Sequence, residues 1–236
     1  MGAALCGACG SVHLVDGKAL TDAGVVGDVL PNKPTYTNFS ADCSLDLIFA
    51  GRRFKKTMTP ASTQVAPVVE VSGKLDAKGL YTFVLTDPDA PSRKDPLFRE
   101  FVHHVIVDIP AAALLHPGSK AVGREVLGYV GPAPPYNSGP HRYVAMLFLQ
   151  SRGEVSKAAT ASYFASGRVP HRIAEFASMF DLKLVAVSLF QAEWDSTCDE
   201  SHKKIKFVPP MQYRSPTQLA ESQKPSAAPS VAEPAK

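Results

Sequence analysis

From Tyr143 to Leu149 the chain reads Tyr-Val-Ala-Met-Leu-Phe-Leu, seven apolar residues with no polar interruption. The run is too short for a typical buried helix and too uniformly apolar for a strand with one wet face. It predicts a central strand, within His141–Gln150, that is covered on both sides. The rest of the chain must supply the two covers. Six further candidate strands lie at Leu45–Phe49, Pro67–Ser72, Tyr81–Thr86, His103–Ile109, Glu125–Val130 and Lys183–Glu193, bounded largely by Pro and Gly. Several spacers between them are too short for a crossover helix, which favours antiparallel pairing.

Two helices are predicted. Val155–Gly167 is alanine-rich and stops at glycine. Arg172–Phe180 follows Pro170 and places Ile173, Phe176, Ala177 and Phe180 on one apolar face. The expected fold is mainly all-β: an antiparallel sandwich with a few peripheral helices.

The 236 residues suit one domain with a core. Residues 1–20 are small and Gly/Ala-rich and read as a flexible leader. Residues 21–208 carry the periodic pattern of a folded domain. Residues 209–236 are dominated by Pro, Ser, Ala and charge. With so little to bury they are expected to form a disordered tail. No strong amphipathic helix is predicted after Asp195.

A formal charge of +3 is too weak a bias to imply nucleic-acid binding. The basic pairs Arg52-Arg53, Lys55-Lys56 and Lys203-Lys204 read as solvated surface. No apolar run approaches the roughly 20 residues of a membrane span, and the N-terminus lacks the basic start and apolar stretch of a secretory signal. Cys6, Cys9, Cys43 and Cys198 are expected as free thiols in a cytoplasmic, reducing setting. Gly2 followed by Cys6 and Cys9 raises a peripheral membrane contact through myristoylation and palmitoylation. Cys6 stands where the motif takes Ser or Thr, so a plain leader is the alternative. One C-x-x-C pair is weak evidence for zinc or redox chemistry.

Three stretches could carry chemistry. Thr86-Asp-Pro-Asp-Ala-Pro-Ser92 ends a strand with two prolines that fix φ and restrict their neighbours. It reads equally as a rigid loop presenting carboxylates and as a tight turn with solvated Asp side chains. In Glu100–Val107 the adjacent His103 and His104 point to opposite faces, so one pocket can take only one of them. Tyr129–Tyr143 is a long Pro/Gly loop feeding the central strand. There His141 and Tyr143 share a face, and Pro134 and Pro135 form a stiff apolar rim. A hydrolase reading lacks a G-x-S-x-G elbow. A metal reading, with both histidines and Asp87 or Asp89 as a facial triad, lacks diagnostic spacing. No cofactor is expected.

Taken together, the stretches Tyr81–His103 (with DPDAPSRKDP at Asp87–Pro96), Gly131–Tyr143 (Gly-x-x-Pro-Pro, then His-Arg-Tyr) and Gln191-Ala-Glu-Trp-Asp195 resemble the phosphatidylethanolamine-binding family. That family includes the Raf kinase inhibitor protein and the plant flowering-time proteins. The resemblance spans about residues 20 to 200. It implies a Greek-key β-sandwich with a small anion pocket. The implied walls are Asp87, Pro91, Phe101, His103, Gly131, Ala133, Pro134, Pro135, His141 and Tyr143, with Phe190 at a position that is Tyr in animal members. It also implies a cis peptide at Arg99–Glu100. The implied function is non-enzymatic binding of a phosphate-bearing ligand, a phospholipid head group or phosphorylated residue, with signalling partners such as kinases. The alternative is an interaction or inhibitor protein whose pocket is vestigial. An anion site is chemically consistent: Asp87 would favour the imidazolium of His103 or His141, and Tyr143 would add a hydroxyl donor. Phe101 replaces a Trp of animal members, Ala133 replaces a Gly, and the Ala-rich loop Ala111–Ala121 is this chain's own.

Overall fold

The run from Tyr143 to Leu149 lies inside the strand His141–Gln150, in which only Leu149 is less than fully buried. The structure is a computed structural model that describes residues 15–115 and 122–223. In chain order it forms α1 (Gly17–Asp22), α2 (Val25–Asp28), α3 (Pro34–Thr37), β1 (Cys43–Phe49), β2 (Arg52–Arg53), β3 (Thr57–Met58), β4 (Val68–Gly73), β5 (Leu80–Asp87) and β6 (Phe101–Pro110). Then follow α4 (Ala111–Leu115), β7 (Arg124–Leu127), β8 (His141–Gln150), α5 (Lys157–Tyr163), α6 (Ile173–Met179), β9 (Leu182–Ala192), α7 (Thr197–Lys204) and α8 (Pro216–Ser222). All seven predicted strands and both predicted helices are present, with ends shifted by a few residues.

The strands form two sheets, β2-β1-β4 and β3-β9-β8-β5-β6-β7. Pairing is antiparallel except at one edge, where the two-residue β3 runs parallel to β9. That exception to the expected antiparallel pattern joins Thr57 and Met58 to Gln191 and Ala192. β8 sits between β5 and β9 in register Thr86↔Val144, Leu85↔Ala145 and Tyr143↔Phe190.

Strand periodicity sorts the core into two layers. Val144, Met146 and Phe148 of β8 point to one face, with Leu20, Val25, Phe164, Ile173 and Phe176 of the helices. Tyr143, Ala145 and Leu147 point to the other, where Leu45, Leu47 and Phe49 of β1 and Val69 and Val71 of β4 pack against the larger sheet. Each fully buried side chain of this size contributes about 1.5–3 kcal/mol from apolar area alone.

Two expectations need correction. The leader was placed at residues 1–20, but α1 begins at Gly17, is capped by the Asp16 side chain, and buries Leu20 completely. A disordered tail was expected from 209, yet the chain is ordered through residue 223. Ser215 caps α8, and its partner Gln218 completes a capping box with Pro216 at the first helical position. The region after Asp195 carries no apolar stripe, as expected, and α7 forms there without one. Its buried positions are Cys198, Asp199, Ser201 and His202, held by hydrogen bonds, and its termini suit the helix dipole: Asp199 and Glu200 lead, Lys203 and Lys204 trail. Of the loop Ala111–Ala121, the first five residues form α4 and 116–121 lie outside the described residues. Gly2, Cys6 and Cys9 lie outside them too. Among the described residues no helix is long and apolar enough to cross a membrane.

Candidate functional site

β5 ends in Thr86-Asp87, and the prolines that follow hold the loop in fixed directions. Ala90–Pro91 is a cis bond, and so is Arg99–Glu100. β6 brings in Phe101 and His103, and β8 opens with His141 and Tyr143. β5 lies between β6 and β8, so Asp87, His103 and His141 come to one end of the sheet. The long loop before β8 closes over them. Glycine is required at 131, because a Cβ there would stand 2.9 Å from the Thr63 carbonyl oxygen. The turn at Pro60–Thr63 braces this loop: the Tyr129 hydroxyl donates to Thr63 O, and Gln64 Nε2 donates to Pro132 O at 3.3 Å.

These groups enclose a cavity of about 30 Å³. That is room for roughly two waters. Nine of the eleven residues expected at the site line it: Asp87, Pro91, Phe101, His103, Gly131, Ala133, Pro135, His141 and Tyr143. Pro134 is buried but is not among the lining residues. Phe190 is a core residue. It stacks on Tyr143 at 5.2 Å and meets Phe49 edge-on, so it backs the pocket rather than lining it. The sequence reading missed Ala90 and Val130, neighbours of named positions, and also His202, Ile205 and Phe207 from α7 and beyond. The Ser215-x-x-Gln218 box behind Pro209-Pro210 was the signal that this region folds.

Asp87 and His141 form a buried pair, with Nδ1 2.7 Å from Asp87 Oδ2. Asp87 Oδ1 accepts from the Asp89 amide at 2.7 Å. On its other side His141 Nε2 lies 3.0 Å from Ser138 Oγ, whose one hydrogen is donated to Pro135 O at 2.7 Å. With Nδ1 donating to Asp87 and Ser138 giving its hydrogen to Pro135 O, Nε2 donates to Ser138 Oγ in the protonated ring, the form that the raised His141 pKa favours. Burial alone would lower the His141 pKa, but the Asp87 charge and hydrogen bond raise it above the ordinary value.

His103 differs from the expected imidazolium. Its Nδ1 donates to Val130 O at 2.7 Å, so the ring is the Nδ1–H tautomer when neutral. Burial pushes its pKa down to about 4, against a weaker upward pull from Asp87. It presents a lone pair, not a charge. His104 turns to the opposite face and bonds Glu125 at 2.8 Å. The Tyr143 hydroxyl is buried with no hydrogen-bond partner, and burial raises its pKa well above the ordinary value, so it remains a proton donor.

The second carboxylate of the loop has another task. Asp89 accepts from the Arg142 backbone amide and guanidinium, with Nη2 2.6 Å from Oδ1. Arg142 reaches on to Ala23 O and Asp28, and Arg99 also pairs with Asp28 at 2.9 Å. This buried network fastens residues 23–28 behind the pocket. Among the described residues no three His, Cys, Asp or Glu side chains are grouped to hold a metal ion. His202 forms part of the wall; its Nε2 donates to Ala133 O at 2.9 Å, and its Nδ1 lies 3.1 Å from the Gln218 amide.

A family model described as phosphatidylethanolamine-binding protein matches residues 40–186. The chain is 35% identical over 153 residues to CEN-like protein 1 of Nicotiana tabacum, covering 63% of this chain and 80% of that one. It is 34% identical over 182 residues to Protein TWIN SISTER of FT of Arabidopsis thaliana, covering 76% and 93%. Carboxypeptidase Y inhibitor, solved in complex with its cognate proteinase, superimposes with a TM-score of 0.61 at 25% identity, over 76% of this chain and 95% of that one.

Proposed function

The chain belongs to the phosphatidylethanolamine-binding protein family, and from that premise we propose that its cavity binds the phosphate of a small ligand, a phospholipid head group or a phosphorylated residue. The observation that carries this reading is the Tyr143 hydroxyl. It is a buried donor without a partner among the described residues, at the wall of a small cavity. An unpaired buried donor costs about 1–3 kcal/mol, and a ligand oxygen would remove that cost. The His141 imidazolium supplies positive potential behind it. The His103 lone pair can accept from a protonated ligand oxygen or an ammonium group. The expected Greek-key β-sandwich is the frame of this reading: strand ends from the larger sheet converge on the cavity while the smaller sheet packs behind it.

The reading is a binding protein rather than an enzyme, acting in the cytoplasm on signalling partners such as kinases. A second reading, an inhibitor that works through its surface with the pocket vestigial, is favoured by the likeness to carboxypeptidase Y inhibitor bound to its proteinase. Titration with inorganic phosphate and phosphorylethanolamine, followed by amide NMR, separates the two. The pocket reading expects saturable shifts at residues 87–91, 101–103 and 130–143, lost in His103→Ala and in His141→Ala. Affinity unchanged in both variants would move the function to the surface.

A further inference from the structure

Arg52-Arg53-Phe-Lys55-Lys56 runs directly into Thr57, so four of the five residues before that hydroxyl are cations. No other Ser or Thr of the chain has more than two Lys or Arg in the five positions before it. Thr57 is exposed on β3, while Phe54 and Met58, on either side of it, pack against the core between the sheets. Phe54 meets the Phe190 ring at 6.2 Å. β3 is the last strand of its sheet. β9 takes one side of it, with the Gln191 amide donating to Lys56 O at 2.8 Å, and no strand among the described residues covers the other.

The four cations are not equivalent. Arg53 pairs with Asp46 and lies 3.8 Å from Glu70. Arg52, Lys55 and Lys56 are exposed, with no ion pair among the described residues. They are strung along one segment ahead of a single hydroxyl rather than spread over a face. A protein kinase reads its substrate in that order, pairing carboxylates of its cleft with successive cations of the chain. Binding to a polyanion would give the hydroxyl no role.

We propose that Thr57 is the phosphate acceptor of a protein kinase that selects basic residues ahead of its target, and that the phosphate acts on the pocket loop. Thr57 Oγ1 bonds to the γ-phosphorus of ATP as the bond to the β-phosphate oxygen breaks. ADP leaves with that electron pair, and the hydroxyl proton passes to a carboxylate base of the kinase. The new group carries a charge of about −1.5 to −2 at neutral pH and pairs with Arg52 and Lys55. β3 leads into the turn Pro60–Thr63, which braces the pocket loop through Tyr129 and Gln64. Drawing β3 toward the cations shifts this brace. The acceptor does not depend on what the cavity binds.

The test incubates the folded full chain with Mg-ATP and the catalytic subunit of a basic-directed kinase, then maps phosphate by peptide fragmentation. Phosphate is expected on Thr57, retained at this position in Thr57→Ser and absent from it in Thr57→Val, which keeps a β-branched strand residue. Lys55→Gln with Lys56→Gln, both at exposed positions, lowers kcat/KM for Thr57 by about tenfold or more. In the phosphorylated protein the amide signals of residues 60–64 and 129–132 move. Three results overturn the proposal: no phosphate on Thr57, phosphate there only after denaturation, or a rate unchanged in the double variant. Amide shifts confined to residues 52–58 uphold the acceptor and remove its link to the pocket loop.

Discussion

His141 is clamped between Asp87 Oδ2 at 2.7 Å and Ser138 Oγ at 3.0 Å, an arrangement that suits a ring donating from both nitrogens. Two strand residues far apart in the sequence thus form a buried hydrogen-bonded pair.

The pair predicts the pH behaviour of the site. The folded pKa of His141 lies above 6.5, so its stabilisation is complete below that value and is lost as pH rises through the folded pKa. His103 behaves oppositely. Its folded pKa is depressed to about 4, so it costs stability as pH falls from 6.5 toward 4, by roughly 3 kcal/mol at the acid end. NMR titration of the imidazole protons should place His141 above 6.5 and His103 near 4. Addition of phosphate should move the His103 midpoint upward. A His141 midpoint below 6.5 would contradict the donor assignment.

Tyr143→Phe should separate stability from binding. The free protein loses an unpaired buried hydroxyl and should be as stable as wild type, or more stable by about 1 kcal/mol. Affinity for phosphate should fall by about tenfold. Denaturant unfolding and ligand titration of the same variant check the two signs. A variant that binds as wild type would take the hydroxyl out of the site.

Glu100 is fully buried. Oε1 accepts from the Ile173 amide at 2.9 Å, and Oε2 has no hydrogen-bond partner among the described residues, since the nearby Thr86 hydroxyl donates to Phe101 O. Burial raises its pKa to about 8. The wild type should therefore lose stability as pH rises from 4.5 to 8. In Glu100→Gln this dependence should disappear. The stability difference should swing toward the variant by up to roughly 3 kcal/mol by pH 7, read from unfolding curves at several pH values. A constant difference would mean that the carboxyl is ionised in the fold.

Ser215→Ala removes the α8 cap and one partner of buried Asp199. The expected loss is about 1–2 kcal/mol. Amide exchange should quicken in residues 216–222, with shifts carried to His202 through Gln218. Ser215→Thr should restore most of the protection. Unchanged exchange in the Ala variant would show that α8 is held by something other than its cap.

The sheet and one side of the pocket were legible because they obey short-range rules. The period-2 pattern of β8, the prolines of residues 88–91 and the spacing of His141 and Tyr143 each fix direction within a few residues. The rest depends on contacts across the chain. α7 was invisible to apolar periodicity because it buries Asp199, Ser201 and His202, whose partners lie at Ser215, Gln64 and Ala133. Phe190 was read as a wall residue because family position cannot tell which side of Tyr143 its ring occupies. The charge of His103 could not be read either, since a neighbouring Asp argues for an imidazolium while burial outweighs it, and the Val130 carbonyl then fixes the tautomer of the neutral ring.

The cavity wall draws on Asp87 near the middle of the chain and on Phe207 close to its end. β9, the neighbour of β8, also comes late, at residues 182–192. A ribosome must therefore deliver every residue from Asp87 to Phe207 before the pocket can close. The nascent protein passes through a stage in which β8 has only one flanking strand and no ligand can be held. Selection on synthesis speed or chaperone capture would act on that interval and leave the finished site untouched.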